Sequence, residues 1–160
     1  MSAARGGGES RVRARVIGLG QAAAGDDGIG LAVLDALRTT ALPGDVELVA
    51  APDASALLDL LGGADAVVLV DAVLGGSPGD VLDLAPEDLA QRGAPTFSTH
   101  GLSVPQAIEL AQVLGDGPPV ALRIVGVVVE RPNAPRVGLS PAAAAAVPAA
   151  AARVRALVGA

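Results

Sequence analysis

The segment that decides the fold reads RVRARVIGLG and runs from Arg11 to Gly20. Its first half alternates arginine with apolar residues and its second half is wholly apolar, a pattern typical of a strand that enters a buried sheet. After a loop at residues 21–26, apolar side chains recur at helical spacing between Ile29 and Leu37. A buried strand followed directly by an amphipathic helix indicates an α/β fold.

The remaining sequence continues this alternation of strands and helices. Strands are predicted at 46–50, 66–70, 81–84 and 120–129, and helical segments at 54–61, at 86–91, from Ser103 with Val104, Ile108, Ala111 and Leu114 on one face, and from Ser140. Asp53 is a predicted N-cap, and Pro148 is expected to kink the last helix. We therefore expect a three-layer α/β/α domain with a twisted, mostly parallel five-stranded sheet and one short edge strand.

Length and hydropathy indicate a single domain and no membrane-spanning segment. It has 160 residues, of which 51% are hydrophobic, so one domain can bury its own core. Residues 1–10 are predicted to be a disordered tail, and residues 11–160 to form the single domain. The tail lacks the apolar region of a secretory signal, and the apolar stretches are far shorter than the roughly 20 residues of a membrane span. A cytoplasmic protein without membrane contact is the expectation.

Composition excludes several classes of site. The chain has no cysteine, which rules out disulfides, thiolate metal sites and cysteine catalysis. It has one histidine, His100, so any metal must be bound mainly through oxygen. A net charge of −6 and a single aromatic residue argue against nucleic acid as a partner. The acidic surplus favours a monomer.

Acidic residues fall where the predicted strands end. Asp26 and Asp27 follow the first strand, Asp71 terminates the third, and His100 lies in the loop after the edge strand. Ligands of open α/β sheets bind at the carboxyl ends of the strands. If the first and third strands are neighbours, these side chains converge on one cleft.

Two carboxylates and one imidazole suit a divalent transition metal with open coordination positions. Each residue also has a simpler interpretation. Asp71 is then a loop hydrogen-bond acceptor, the pair Asp26 and Asp27 complements a helix dipole, and His100 is a solvated loop residue.

A dinucleotide site is a competing hypothesis for the first loop. Residues 18–23 read GLGQAA and satisfy G-x-G-x-x-A after a predicted strand, with Asp45 or Glu47 somewhat more than twenty residues on. However, Asp26 and Asp27 place two negative charges where a pyrophosphate needs backbone N–H groups. A nucleotide-binding module is therefore kept only as a minor alternative.

Four motifs in register resemble the hydrogenase maturation protease family, the endopeptidases that trim the C-terminus of the nickel–iron hydrogenase large-subunit precursor. They are GLGQ at 18–21 followed by GDDGIG at 25–30, VDA at 70–72, STH at 98–100 and GLSP at 138–141. The resemblance covers nearly the whole chain after Arg11.

The resemblance implies a twisted sheet between helices and a metal-contacting triad of Asp27, Asp71 and His100. It implies that the triad engages nickel already carried by the precursor, with zinc or another divalent metal as the alternative. Asp27 and Asp71 then also activate a water for peptide hydrolysis. The expected partner is the hydrogenase large-subunit precursor.

Two positions depart from the family pattern. Gln21 stands where family members commonly carry Asn, and residues 51–53 read APD where Asp-Gly-Gly is frequent. Neither departure touches the triad. A different class of function also stays open, a nickel-dependent chaperone or adaptor that binds the loaded precursor without cutting it.

Overall fold

A computed structural model describes residues 12–92, 101–115, 121–131 and 137–159, with the side chains of 22–24 excepted. The predicted tail, residues 1–10, lies outside the described residues. The elements are β1 (Val12–Leu19), a 3-10 turn (Ala22–Gly28), α1 (Ile29–Arg38), β2 (Val46–Ala51), a second 3-10 turn (Ala54–Ala56), α2 (Leu57–Leu60), β3 (Ala64–Val73), β4 (Val81–Leu84), α3 (Pro86–Ala90), α4 (Val104–Leu114), β5 (Ala121–Val128) and α5 (Pro141–Leu157).

The five described strands form one sheet in the order β2-β1-β3-β5-β4. β1 is parallel to both β2 and β3, and β3 is parallel to β5. The short strand β4 lies at the edge and is antiparallel to β5. The expectation of a mostly parallel sheet with a short edge strand is thus confirmed, and so is the adjacency of the first and third strands.

Apolar side chains cover both faces of the sheet and make it the middle of three layers. On one face Val16 and Val68 pack with apolar residues of α1 and α5. On the other face Ile17 and Leu69 pack with residues of α2, α3 and α4. Alternate residues of β1 and β3 therefore point into different cores, as the two-residue period of a strand requires.

The start of α1 packs backbone to backbone against the sheet at Gly18 and Gly30. A Cβ atom at Gly18 would lie 2.5 Å from the carbonyl oxygen of Gly30, and one at Gly30 would lie 2.7 Å from the carbonyl oxygen of Val70. Both positions need glycine for close approach of backbone to backbone. This contact fixes the start of α1 against the ends of β1 and β3.

The predicted caps are confirmed. The side chains of Asp53, Ser103 and Ser140 each accept a hydrogen bond from a backbone N–H in the first turn that follows. The apolar positions that recur at helical spacing in α1 are all buried; they are Ile29, Val33, Leu34 and Leu37. α5 continues through Pro148 to Leu157.

Two predictions about single residues, one on the end of a strand and one on burial, were wrong. Asp71 does not terminate the third strand, because β3 continues to Val73 and pairs with β5 along that extension. Leu114, expected on the buried face of α4, is 70% exposed. Each residue of an α-helix turns the chain by about 100°, which places Leu114 about 80° around the helix axis from Val104. Leu114 therefore lies at the margin of the buried face of α4.

None of the helices in the described part of the chain is long and apolar enough to cross a membrane.

Candidate active site

The first acidic residue of the site, Asp27, lies in the 3-10 turn that joins β1 to α1. Its Oδ2 accepts a hydrogen bond of 3.1 Å from the backbone N–H of Gln21. Gly20 has a φ of +127° and no room for a side chain, because a Cβ atom there would overlap the carbonyl oxygen of Asp27. The turn is therefore packed directly against the end of β1.

The second acidic residue, Asp71, lies where β3 extends beyond β1. The pairing of β1 with β3 ends at Gly18 and Val70, whereas β3 and β5 stay paired at Asp71 and Gly126. Asp71 Oδ1 accepts a hydrogen bond of 2.9 Å from the backbone N–H of Ala72. The carboxyl group is thus presented at the carboxyl edge of the sheet, beside the end of β1.

Burial dominates the electrostatics of both carboxyl groups. Burial and, as a smaller cause, the charge on Asp27 together raise the pKa of Asp71 to about 8, against the opposing effect of the hydrogen bond from Ala72. Burial also raises the pKa of Asp27, against a smaller opposite effect of the hydrogen bond from Gln21. Both residues keep some contact with solvent. Asp27 and Asp71 are therefore brought together in a setting that disfavours two negative charges.

Asp26 is turned away from this pair and has a different partner. Its Oδ1 accepts a hydrogen bond of 2.6 Å from the backbone N–H of Ser140, and its Oδ2 accepts one of 2.7 Å from the Ser140 hydroxyl. Ser140 is the N-cap of α5. The two adjacent acids thus point to different parts of the fold.

The third residue of the predicted triad, His100, lies outside the described residues. Within the residues that are described, no group of three or more His, Cys, Asp or Glu side chains is placed to hold a metal ion. The described part of the site therefore consists of the carboxyl pair Asp27 and Asp71.

The structure gives the glycines of the first loop a packing role. Gly18 is in contact with α1, and the Gln21 N–H group, which a pyrophosphate would need, is bound to Asp27. The side chain of Gln21 is exposed. The contact at this position is made by the backbone, so a longer side chain than Asn does not remove it. These features argue against the dinucleotide hypothesis.

Sequence reasoning missed three features of the site. The strand-end argument treated Asp26 and Asp27 as one signal, although they have separate partners, and Ser140 was predicted only as the start of the last helix. Sequence reasoning also gave no role to Gly126, which pairs with Asp71 across the sheet. A Cβ atom at Gly126 would lie 3.0 Å from Val73 and 3.1 Å from Leu84, so this position is crowded as well.

Comparison with known proteins identifies the family. Residues 31–156 match the family model described as hydrogenase maturation protease. The chain belongs to this family. The match includes β2 to β5 and most of α5, and it begins after the turn that carries Asp27. A search of curated proteins finds no match.

Solved structures give the same family relationship over more of the chain. The hydrogenase maturating endopeptidase HybD from E. coli is 26% identical with a TM-score of 0.69, and 92% of each chain is covered. A hydrogenase 2 maturation peptidase from a Thaumarchaeota archaeon is 26% identical with a TM-score of 0.66, over 92% of this chain and 98% of that one. An endopeptidase from Escherichia coli, solved in solution, is 25% identical with a TM-score of 0.75 over 90% of both chains.

Members of the hydrogenase maturation protease family hydrolyse peptide bonds, so this chain is a protease. The family acts on precursors of hydrogenase large subunits, which indicates the kind of partner. The family assignment agrees with the resemblance carried by the four sequence motifs. It disfavours the adaptor hypothesis, because an adaptor would bind a precursor without hydrolysing it.

Proposed function

We propose that this chain removes the C-terminal extension of a nickel–iron hydrogenase large-subunit precursor after nickel has been inserted. Asp27, Asp71 and His100 would recognise the nickel that the substrate carries. Nickel is thus part of the substrate in this proposal, and a divalent metal such as zinc would bind the same oxygen and nitrogen ligands as a competitor.

The observation that carries the proposal is the electrostatic setting of the carboxyl pair. The pKa of Asp71 is raised to about 8 by burial and by the charge on Asp27, so ionising both groups is costly without a compensating positive charge. A divalent cation on the substrate would supply that charge and displace the proton. A precursor without nickel would leave the repulsion in place and would bind poorly.

The same pair fits acid and base roles in peptide hydrolysis. An ionised carboxylate accepts a proton from the attacking water as the water oxygen bonds to the scissile carbonyl carbon. The carbon–nitrogen bond then breaks, and the proton passes to the leaving amine. The carboxylate that accepts the proton from water then donates it to the leaving amine, so one member of the pair supplies both roles in turn.

The test is cleavage of a nickel-loaded large-subunit precursor, followed by intact-mass spectrometry. We expect the wild-type chain to shorten the precursor. We expect Asp27→Asn, Asp71→Asn and His100→Ala to slow cleavage by about 100-fold or more, since each removes a ligand or a proton acceptor.

The matched control is Asp59→Asn, which makes the same chemical change at an exposed position on α2. It should cleave like the wild type. Circular dichroism would verify that every variant keeps the fold. Full processing of the precursor by Asp71→Asn would refute the assignment, and binding of the loaded precursor without any loss of mass would instead support an adaptor.

A further inference from the structure

The turn that carries Asp27 packs against the end of β1 on one side and faces α5 on the other. It is a 3-10 segment from Ala22 to Gly28, and the hydrogen-bond geometry of such helices is poorer than that of α-helices. A crevice of about 190 Å³ lies between residues 25–35 and residues 138–139, so apolar packing on this side is incomplete. On the side of α5 the turn therefore depends more on polar contacts than on apolar packing.

Asp26 provides a polar contact on this side. Its carboxylate accepts hydrogen bonds from both the backbone N–H and the hydroxyl of Ser140, at 2.6 and 2.7 Å. Hydrogen bonds to an ionised group are stronger than those between neutral groups. The contact joins segments that are 114 residues apart, and both partners are partly buried. It ties the turn to the first residue of α5.

Ser140 is itself held firmly. Its hydroxyl oxygen accepts a hydrogen bond of 3.3 Å from Ala143 N–H while its proton is donated to Asp26. Its carbonyl oxygen accepts a hydrogen bond of 2.9 Å from Ala144. Ala143, Ala146 and Ala150 bury the adjoining face of α5 in the core. Asp26 is thus anchored to a rigid element.

We propose that Asp26 and Ser140 form a clamp that positions Asp27 for the reaction. Asp26 is the clamp residue on the turn and Asp27 is the next residue in the chain, held on its other side by Gln21 N–H. Loss of the clamp would leave Asp27 chemically intact but displaced from Asp71. The effect on cleavage rests on the proposed function, whereas the effect on the geometry of Asp27 does not.

The first test measures that geometry in the free protein without any metal or substrate. Hydrogen exchange of the Gln21 amide, followed by NMR, reports the bond between this N–H and Asp27. We expect Asp26→Ala and Ser140→Ala to speed this exchange by about tenfold or more, because the bond opens more often when the turn is released. Exchange at the wild-type rate in Asp26→Ala would overturn the clamp.

Two further variants separate positioning from general stability. Ser140→Thr keeps both the cap and a hydroxyl donor, so it should restore slow exchange relative to Ser140→Ala. Val154→Ala removes buried volume from the same helix, far from Ser140 along α5, and destabilises the fold without touching the clamp. If Val154→Ala speeds Gln21 exchange as much as Asp26→Ala does, the effect is one of stability and the clamp is refuted.

The second test is cleavage of the nickel-loaded precursor at a temperature where every variant is fully folded. We expect Asp26→Ala to slow cleavage by about tenfold to 100-fold, because a misplacement of about 1 Å at a reacting group can cost about 100-fold. Val154→Ala should cleave like the wild type. Wild-type cleavage by Asp26→Ala would overturn the clamp. If the wild-type chain itself does not cleave, the proposed function fails, and the exchange measurement still decides whether the clamp exists.

Discussion

Asp71 is the residue whose chemistry departs furthest from that of a free carboxyl group. It lies inside a strand, beside Asp27 and above an apolar core, and these surroundings favour its neutral form. A carboxyl group that binds its proton more tightly in the folded state than in the unfolded state makes stability depend on pH. This dependence can be measured without a substrate.

We predict that the wild-type chain loses stability relative to Asp71→Asn as the pH rises from about 4 to about 8. Below the ordinary pKa of 3.8 the carboxyl group is protonated in both states, and the folded state is not penalised. Between 3.8 and about 8 the unfolded chain ionises while the folded chain keeps its proton, so the relative loss grows by at most about 1.4 kcal/mol per pH unit.

Urea unfolding of both proteins at pH 5 and pH 8, with divalent metals removed, measures this difference. Asp59→Asn serves as the control for the loss of a carboxyl group at an exposed position. A stability difference between wild type and Asp71→Asn that stays constant over this range would contradict the environment described for Asp71.

Gly20 gives a second prediction for a single residue. Its φ of +127° is unfavourable for any residue with a Cβ atom, and a side chain there would overlap the Asp27 carbonyl. We expect Gly20→Ala to lower the free energy of unfolding by about 3 kcal/mol or more.

The control is Gly44→Ala, because nothing lies within 4 Å of a Cβ atom built at Gly44. It should change the free energy of unfolding by less than about 1 kcal/mol. Equal values from urea denaturation of the two variants would refute the close packing of the turn.

Sequence could reveal only part of the residue-level site. Asp27 and Asp71 were predictable because both follow apolar runs that parallel strands bring to one edge. The partner of Asp26 was not, since Ser140 lies 114 residues away and only the packing of α5 beside α1 brings them together. The strand-end pattern does not tell which of the two adjacent aspartates faces the cleft, and only the family resemblance selected Asp27.

Among the elements, β3 determines the position of the site. It is the middle strand of the sheet, and it pairs with β1 only as far as Val70 but with β5 as far as Val73. Sequence predicted the buried run up to Val70 and took the charged residue after it as the end. The extension could not be read from the sequence, because it depends on hydrogen bonds to a strand some fifty residues away.

One carboxylate on the edge strand β4 forms ion pairs with two neighbouring elements. Asp83 forms ion pairs with Arg123 on β5 and Arg153 on α5. The hydrogen bond from Arg153, together with Arg123, holds the pKa of Asp83 below its usual range. Asp83 thus connects the sheet to the helix layer at the edge.

We predict that Asp83→Asn lowers the free energy of unfolding at pH 7 by about 1 kcal/mol, and by less in 1 M salt. A carboxyl group with a lowered pKa stabilises the fold above its ordinary pKa, so the difference should vanish as the pH falls below about 4. Urea denaturation at low and high salt checks the salt dependence, and the same measurement below about pH 4 checks the pH dependence.

The control is Asp35→Asn, which breaks an exposed ion pair with Arg38 within one helix and should lower the free energy of unfolding by about 0.5 kcal/mol or less. A larger effect at Asp35 than at Asp83 would contradict the linking role.

For the molecule as a whole, layer order follows from the sequence pattern. Wholly apolar runs predicted strands that are buried on both faces, and the alternation with helices predicted the three layers that the two cores confirm. The pattern of strands and helices does not identify the substrate. Family membership shows a protease that acts in hydrogenase maturation, whereas recognition of nickel rests on the carboxyl pair and on His100.

The most direct test of that recognition compares one precursor in two states. The wild-type chain is mixed with a nickel-loaded large-subunit precursor and, in parallel, with the same precursor from which nickel has been removed, and both are followed by intact-mass spectrometry. We predict loss of the C-terminal extension only from the loaded precursor. Equal cleavage of both precursors would contradict nickel recognition by Asp27, Asp71 and His100.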